Sequence, residues 1–253
     1  MIGSLMNDPV GYIMELALRL PAVLLAICLH EAAHGWVAEK CGDPTARLMG
    51  RITLNPVRHF DLMGMLCMFV VGLGWAKPVP VNPRNFRNYR KDDLKVSLAG
   101  ITVNILLAMV SLIGCYAIFT AAFIPFREMY YLSESNEMWF HAALWNSQVI
   151  SKMWGTVPAY LYEMLVYMVT VNLSLAIFNL IPVPPLDGYH VLNDLILKRP
   201  LFAAQRMASA GQGILILLMV TGILSRVLST VLGWILGGAG SLAYAIVSAL
   251  GVA

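Results

Sequence analysis

The stretch "CLHEAAHGWVAEK", residues 28–40, decides how the rest of this chain is read. Residues 20–29 carry no charge, so the segment enters as part of an apolar membrane helix. His30, Glu31 and His34 then follow at once. Ionisable groups at bilayer depth are costly and are kept where chemistry needs them. Residues four apart on a helix are separated by about 40° around its axis, so His30 and His34 share a face. Glu31 falls on the same side, about 100° from His30. Two imidazoles so placed can hold zinc, with the glutamate as general base for an attacking water. The plainer alternative satisfies both histidines from neighbouring helices and pairs Glu31 with a cation. Arg19, about three turns back, is too distant to be that cation. A buried carboxylate without a partner, metal or proton role is hard to retain.

Composition sets the same frame. Of 253 residues, 59% are hydrophobic and 12% charged, with mean hydropathy +0.72. A soluble domain carries about twice that charged fraction. The runs 96–126, 164–186, 207–225 and 227–253 contain no charged residue. About 20 apolar residues suffice to cross a bilayer as helix. The chain therefore reads as an all-α polytopic membrane protein with five to six transmembrane helices. It forms one integral-membrane domain over 1–253, with a core over about 12–195 and a closing helical hairpin over about 207–253. Asp8 and Glu15 stand where a cleavable leader would be basic, so no signal peptide is expected. Cys28, Cys41, Cys67 and Cys115 lack paired spacing, so neither a thiolate zinc site nor a disulfide framework is suggested. A net charge of +3 suits membrane orientation and not nucleic acid.

Charge placement suggests how the chain threads. The linker 41–61 holds Arg47, Arg51 and Arg58. The loop 77–95 holds Lys77, Arg84, Arg87, Arg90, Lys91 and Lys95. A crossing at 62–76 would put these basic loops on opposite sides, against the positive-inside preference. That run is also short for a span. The expectation is a re-entrant or short β-hairpin excursion after the first helix (12–40), with both loops cytoplasmic. A second span (96–123) then leads out to an aromatic, acidic external loop (127–160), and a third (161–182) returns. This threading brings the end of the third span to the depth of His34.

A catalytic zinc site commonly has three protein ligands and one open position. The stretch "NLIPVPPLDGYH", residues 179–190, supplies a candidate. Pro182, Pro184 and Pro185 end the third span, and Asp187 follows in a turn where Gly188 permits an unusual backbone. His190 is a rival ligand, and Asp187 as a mere turn or capping residue is the plain alternative. His141 falls on the external side, and His59 lies in the basic linker.

The pairing of His30-Glu31-Ala32-Ala33-His34 with "NLIPVPPLDG" resembles the site-2 protease family of intramembrane zinc metalloproteases. The likeness extends to "GRITLNPVRHFD" (50–61), "AKPVPVNPRNF" (76–86) and "LAGITVN" (98–104), and covers roughly 20–195. It implies one zinc held by His30, His34 and Asp187, with Glu31 as base. It implies cleavage within the transmembrane segment of a protein partner; by the threading above, the active site is expected toward the cytoplasmic side of a multi-pass protein in a bacterial or archaeal cell membrane. Asn104 matches the family's asparagine near the catalytic site, as a donor to substrate or oxyanion; an interhelical polar contact is its alternative. Ile101 departs from the proline common in the family. Nothing resembles the PDZ or CBS domains of larger members, so a minimal form is expected.

Two further readings stay open. A non-proteolytic zinc-binding or metal-transport protein would also need buried ligands. Transporters, however, distribute ionisable groups along several spans, whereas these cluster at one end of two helices. The β-prone segments 51–56 and 77–83 also offer a possible edge for an unwound substrate strand.

Overall fold

The computed structural model describes residues 8–59, 61, 76–123, 144–197 and 205–249, and among them the protein is built of helices. In chain order they are α1 (Pro9–Lys40), α2 (Thr45–Leu48), α3 (Tyr89–Phe123) and α4 (Ser147–Trp154). Then come α5 (Thr156–Asn179), α6 (Asp187–Leu192), α7 (Gln205–Val220) and α8 (Ile223–Ala249). α1 starts where Asp8 accepts the Gly11 N–H at 2.9 Å and Pro9 takes a position that needs no donor. α3 begins at Tyr89, well before the expected 96. Asp92 accepts from the Asn88 N–H and from Lys95, both at 2.8 Å, so the charged turns stay helical beyond the apolar span.

Among the described residues, four helices are long and apolar enough to cross a membrane: Pro9–Lys40, Tyr89–Ala122, Thr156–Asn179 and Ile223–Ile246. The protein is accordingly an integral membrane protein. α7 has 16 residues, under the roughly 20 a crossing needs. Of the expected excursion at 62–76 all but residue 76 lies outside the described residues, as does 127–143 of the expected outer loop 127–160, whose described remainder holds α4 and the start of α5. Helices α1, α3 and α5 pack against one another in pairs. Phe119 of α3 and Tyr162 and Val169 of α5 share a buried cluster with Ile150 of α4 and Ala243 of α8, while Leu106, Val110 and Ile113 of α3 and Ile216 and Val220 of α7 face outward. Such apolar outer faces suit lipid.

Loops between α1 and α3 are tied down by buried polar groups. Asp43, fully buried, accepts from Thr45, from the Asn82 N–H at 2.7 Å and from the Asn85 amide at 2.8 Å. Burial would raise its carboxyl, but these bonds outweigh it and hold it below the ordinary aspartate value. Asp43→Ala would strand several buried donors and is expected to cost on the order of 2–4 kcal/mol, read as a lowered unfolding midpoint in detergent. The wild-type contribution is complete above the unfolded value near pH ~3.9 and is lost as pH falls through the lowered folded value. Asp43→Ala should therefore flatten the acid limb of the stability profile.

The segments 51–56 and 77–83, expected to be β-prone, hold no strand among the described residues; 51–59 and 76–83 contain one bridge residue, Ala76. Backbone groups there are used otherwise. The Lys77 N–H donates to the His59 carbonyl at 2.8 Å, and Arg51 donates to the carbonyls of Lys77 at 2.7 Å and Pro78 at 3.2 Å. Pro78, Pro80 and Pro83 have no N–H to offer. These contacts occupy part of the edge that 77–83 was expected to offer a substrate strand.

Candidate metal centre

One helical turn separates His30 from His34, and both rings are buried on the inner face of α1. Their Nε2 atoms stand 3.0 Å apart, with the rings nearly perpendicular at 83°. The third group arrives from the far side of the sequence. α5 ends at Asn179, the proline-rich turn follows, and α6 opens on Asp187 with Leu186 at its N-cap. Asp187 Oδ2 lies 3.3 Å from His30 Nε2 and 3.4 Å from His34 Nε2. Burial alone would raise the Asp187 carboxyl, but the two imidazoles outweigh it and bring it down to about 2.

The trio fits a tetrahedral ion. Donors bonded to zinc at about 2.05 Å stand about 3.3 Å apart along a tetrahedron's edge. The three separations of 3.0, 3.3 and 3.4 Å bracket that value. Among the described residues, these three are the His/Cys/Asp/Glu group able to hold a metal. Asp187 Oδ2 is buried and has no hydrogen-bond partner, as expected of a ligand oxygen. His34 Nδ1–H donates to the Val96 carbonyl at 2.7 Å, which leaves the Nε2 lone pair for the centre.

Several expectations change here. His190, the rival ligand, is occupied elsewhere: its Nδ1 pairs with Asp93 at 2.9 Å and ties α6 to the start of α3. That carboxylate raises the His190 pKa. Gly188 is helical, and it serves a close approach and no unusual backbone angle. A Cβ there would stand 2.3 Å from the Leu180 carbonyl oxygen. Asp187 begins α6 but is not its cap. His59 is fully buried and donates from Nε2 to the Thr53 carbonyl at 2.8 Å, holding the linker. His141 lies outside the described residues.

Glu31, next to His30 in the chain, engages the 76–83 segment, where its Oε2 accepts the Val79 N–H at 2.8 Å. Asn104, one turn beyond Gly100 on α3, is fully buried, and neither its amide nitrogen nor its oxygen has a hydrogen-bond partner. The expected alternative, an interhelical polar contact, is thus not made among the described residues. The residue that sequence reading missed is Gly100. A Cβ there would fall 2.5 Å from His30 Cε1 and 2.6 Å from His34 Nε2, so only hydrogen leaves room for both rings. "LAGITVN" contained the signal, a glycine on the face that also carries Asn104.

Two histidines of a membrane-length helix and an aspartate of the short α6 converge at separations that could hold a metal, which defines a class: helical membrane proteins with a candidate metal centre. The profile of Peptidase family M50 matches residues 19–220. The "Putative zinc metalloprotease YwhC" of Bacillus subtilis is 32% identical over 206 residues, covering 81% of each chain. Two proteins called Rip2, with the same descriptor, are also similar. That of Mycobacterium tuberculosis H37Rv is 27% identical over 91% of this chain and 74% of its own. That of Mycolicibacterium smegmatis is 25% identical over 93% and 79%. No solved structure matches. The chain belongs to peptidase family M50, the site-2 protease family of metalloproteases.

Proposed function

We propose that this protein is an intramembrane zinc metalloprotease that hydrolyses a peptide bond within or near the transmembrane segment of a membrane-protein partner. The observation that carries the reading is the convergence of His30, His34 and Asp187 at tetrahedral separations, with Glu31 next to His30 in the chain. The relatives' names support a protease role. His30, His34 and Asp187 would hold one zinc. Zinc, when bound, makes a water nucleophilic near neutral pH and polarises the scissile carbonyl.

The chain's own groups do the rest. Glu31 takes the proton of the attacking water and passes it to the leaving nitrogen. Asn104, buried with both polar atoms free of protein partners, donates to the oxygen on which negative charge develops. Val96 keeps the His34 ring in the ligating tautomer. A substrate helix hides its peptide bonds in its own ladder and must unwind locally before attack. The basic residues from Lys77 to Lys95 adjoin the site and support a cytoplasmic-side location for it.

The test is reconstitution of the full chain in liposomes with single-span reporters of varied transmembrane sequence. Expected is zinc-dependent cleavage, with the cut mapped inside or beside the span by mass spectrometry. Asp187→Ala is expected to abolish both zinc retention and cleavage. A metal-free chain that cuts equally well, or a zinc-loaded one that leaves every reporter intact, overturns the reading.

A further inference from the structure

We infer that Arg51 is a positioning residue for the general base: it holds the 77–79 backbone so that the Val79 N–H fixes the Glu31 carboxylate. This rests on the proteolytic reading of the site and adds a residue to it.

The geometry is a relay of three contacts. Arg51 is 6% exposed, and its guanidinium donates to two consecutive carbonyls, Lys77 at 2.7 Å and Pro78 at 3.2 Å. A charged donor gripping adjacent carbonyls fixes the direction of the peptide that follows. That next residue is Val79, buried, whose N–H reaches Glu31 Oε2 at 2.8 Å. The segment is clamped from its other end as well. Lys77 N–H bonds the His59 carbonyl and Asn82 N–H bonds Asp43. Prolines at 78 and 80 leave Val79 as the sole N–H between Lys77 and Val81. That one donor meets the base.

The chemistry explains why such an arrangement matters. A glutamate has three rotatable bonds, and a base must sit within about 3 Å of the proton it takes. Engaging one carboxylate oxygen removes the rotational freedom while leaving the second oxygen to work. Among the described residues, the guanidinium's hydrogen bonds go to the Lys77 and Pro78 carbonyls, so it acts through the peptide backbone. Burying a guanidinium is costly, and its Nε has no partner, so a purely structural tie between two loops would be achieved more cheaply by a neutral side chain.

The test uses the zinc-loaded full chain in detergent, with fluorescently labelled casein as an unstructured polypeptide probe. Arg51→Met is expected to lower kcat at least tenfold with KM changed less than twofold and zinc content unchanged. Arg51→Lys, still able to donate to carbonyls, is expected to recover to within about threefold of wild type. Val79→Pro removes the donor while Arg51 stays, and is expected to reproduce the Arg51→Met loss in kcat. Hydrogen exchange gives a readout apart from turnover: the peptide spanning 76–81 should exchange faster in Arg51→Met and stay protected in Glu31→Gln, whose side chain still accepts. Wild-type turnover in Arg51→Met or Val79→Pro, a loss carried in KM, or a loss of zinc overturns the inference. An equally active Glu31→Gln variant overturns instead the proteolytic reading beneath it.

Discussion

Glu31→Gln is expected to leave zinc at one per chain and to lower peptide hydrolysis by about a thousandfold. A positioned general base contributes roughly 10²–10⁴ in rate. Glu31 is the carboxylate adjoining the His30–His34–Asp187 trio that is not one of its members. Metal affinity should therefore be indifferent to the change, because all three ligand atoms are untouched. The local backbone should be indifferent too. Glutamine keeps a carbonyl oxygen to accept the Val79 N–H, so the contact seen at 2.8 Å survives. What disappears is the capacity to take a proton. The same variant separates the competing classes, since a protein that only carries or stores zinc has no use for a base and would tolerate it. Zinc is counted by elemental analysis of the purified chain, and turnover by cleavage of the reporter found for the wild type. Residual activity within tenfold of wild type, with zinc intact, would remove Glu31 from the mechanism.

The sequence made the membrane class and the site's main parts legible for different physical reasons. Long apolar runs belong in lipid, so the helices Tyr89–Ala122, Thr156–Asn179 and Ile223–Ile246 follow from length and hydropathy, and Pro9–Lys40 follows from hydropathy despite its few charges. His30 and His34 are one turn apart, so helical geometry alone puts them together. Asp187 was reachable because prolines stop α5 at the depth where α1 presents its histidines. Other features depend on contacts that no periodicity encodes. Segments 51–56 and 77–83 look β-prone, yet Arg51 takes the carbonyls and proline removes the N–H groups that a ladder would use. The choice between Asp187 and His190 turned on Asp93, which lies far away in sequence and occupies the imidazole. Gly188 was expected to serve a turn, and instead it lets α6 approach the Leu180 carbonyl. Close approach is a property of two backbones at once, so a single residue's identity suggests it without saying what it approaches.

Gly100→Ala should weaken zinc binding by about a hundredfold or more, although alanine is the better helix former. In the interior of α3 the exchange favours the helix by up to about 1 kcal/mol. The new methyl carbon, however, would lie 2.5 Å from His30 Cε1 and 2.6 Å from both His30 Nδ1 and His34 Nε2. Real carbon contacts do not approach so closely, so the rings must move or α3 must back away from α1. The rings have little freedom: His34 is anchored on the Val96 carbonyl at 2.7 Å, and both are buried between helices. Moving either one spoils separations that match a tetrahedral ion, and small displacements of ligand orientation cost 10–100-fold in affinity. Gly114→Ala on the same helix is the control. Its Cβ would meet Leu165 Cδ1 at 3.3 Å, the tip of a flexible side chain. That variant should gain the helical preference and keep the metal. Zinc affinity by competition with a chelator, and unfolding midpoints in detergent, are the two measurements. Opposite signs for stability and affinity in Gly100→Ala would locate the defect at the ion site. Undiminished affinity there would mean that α3 does not press on the histidine pair as the structure has it.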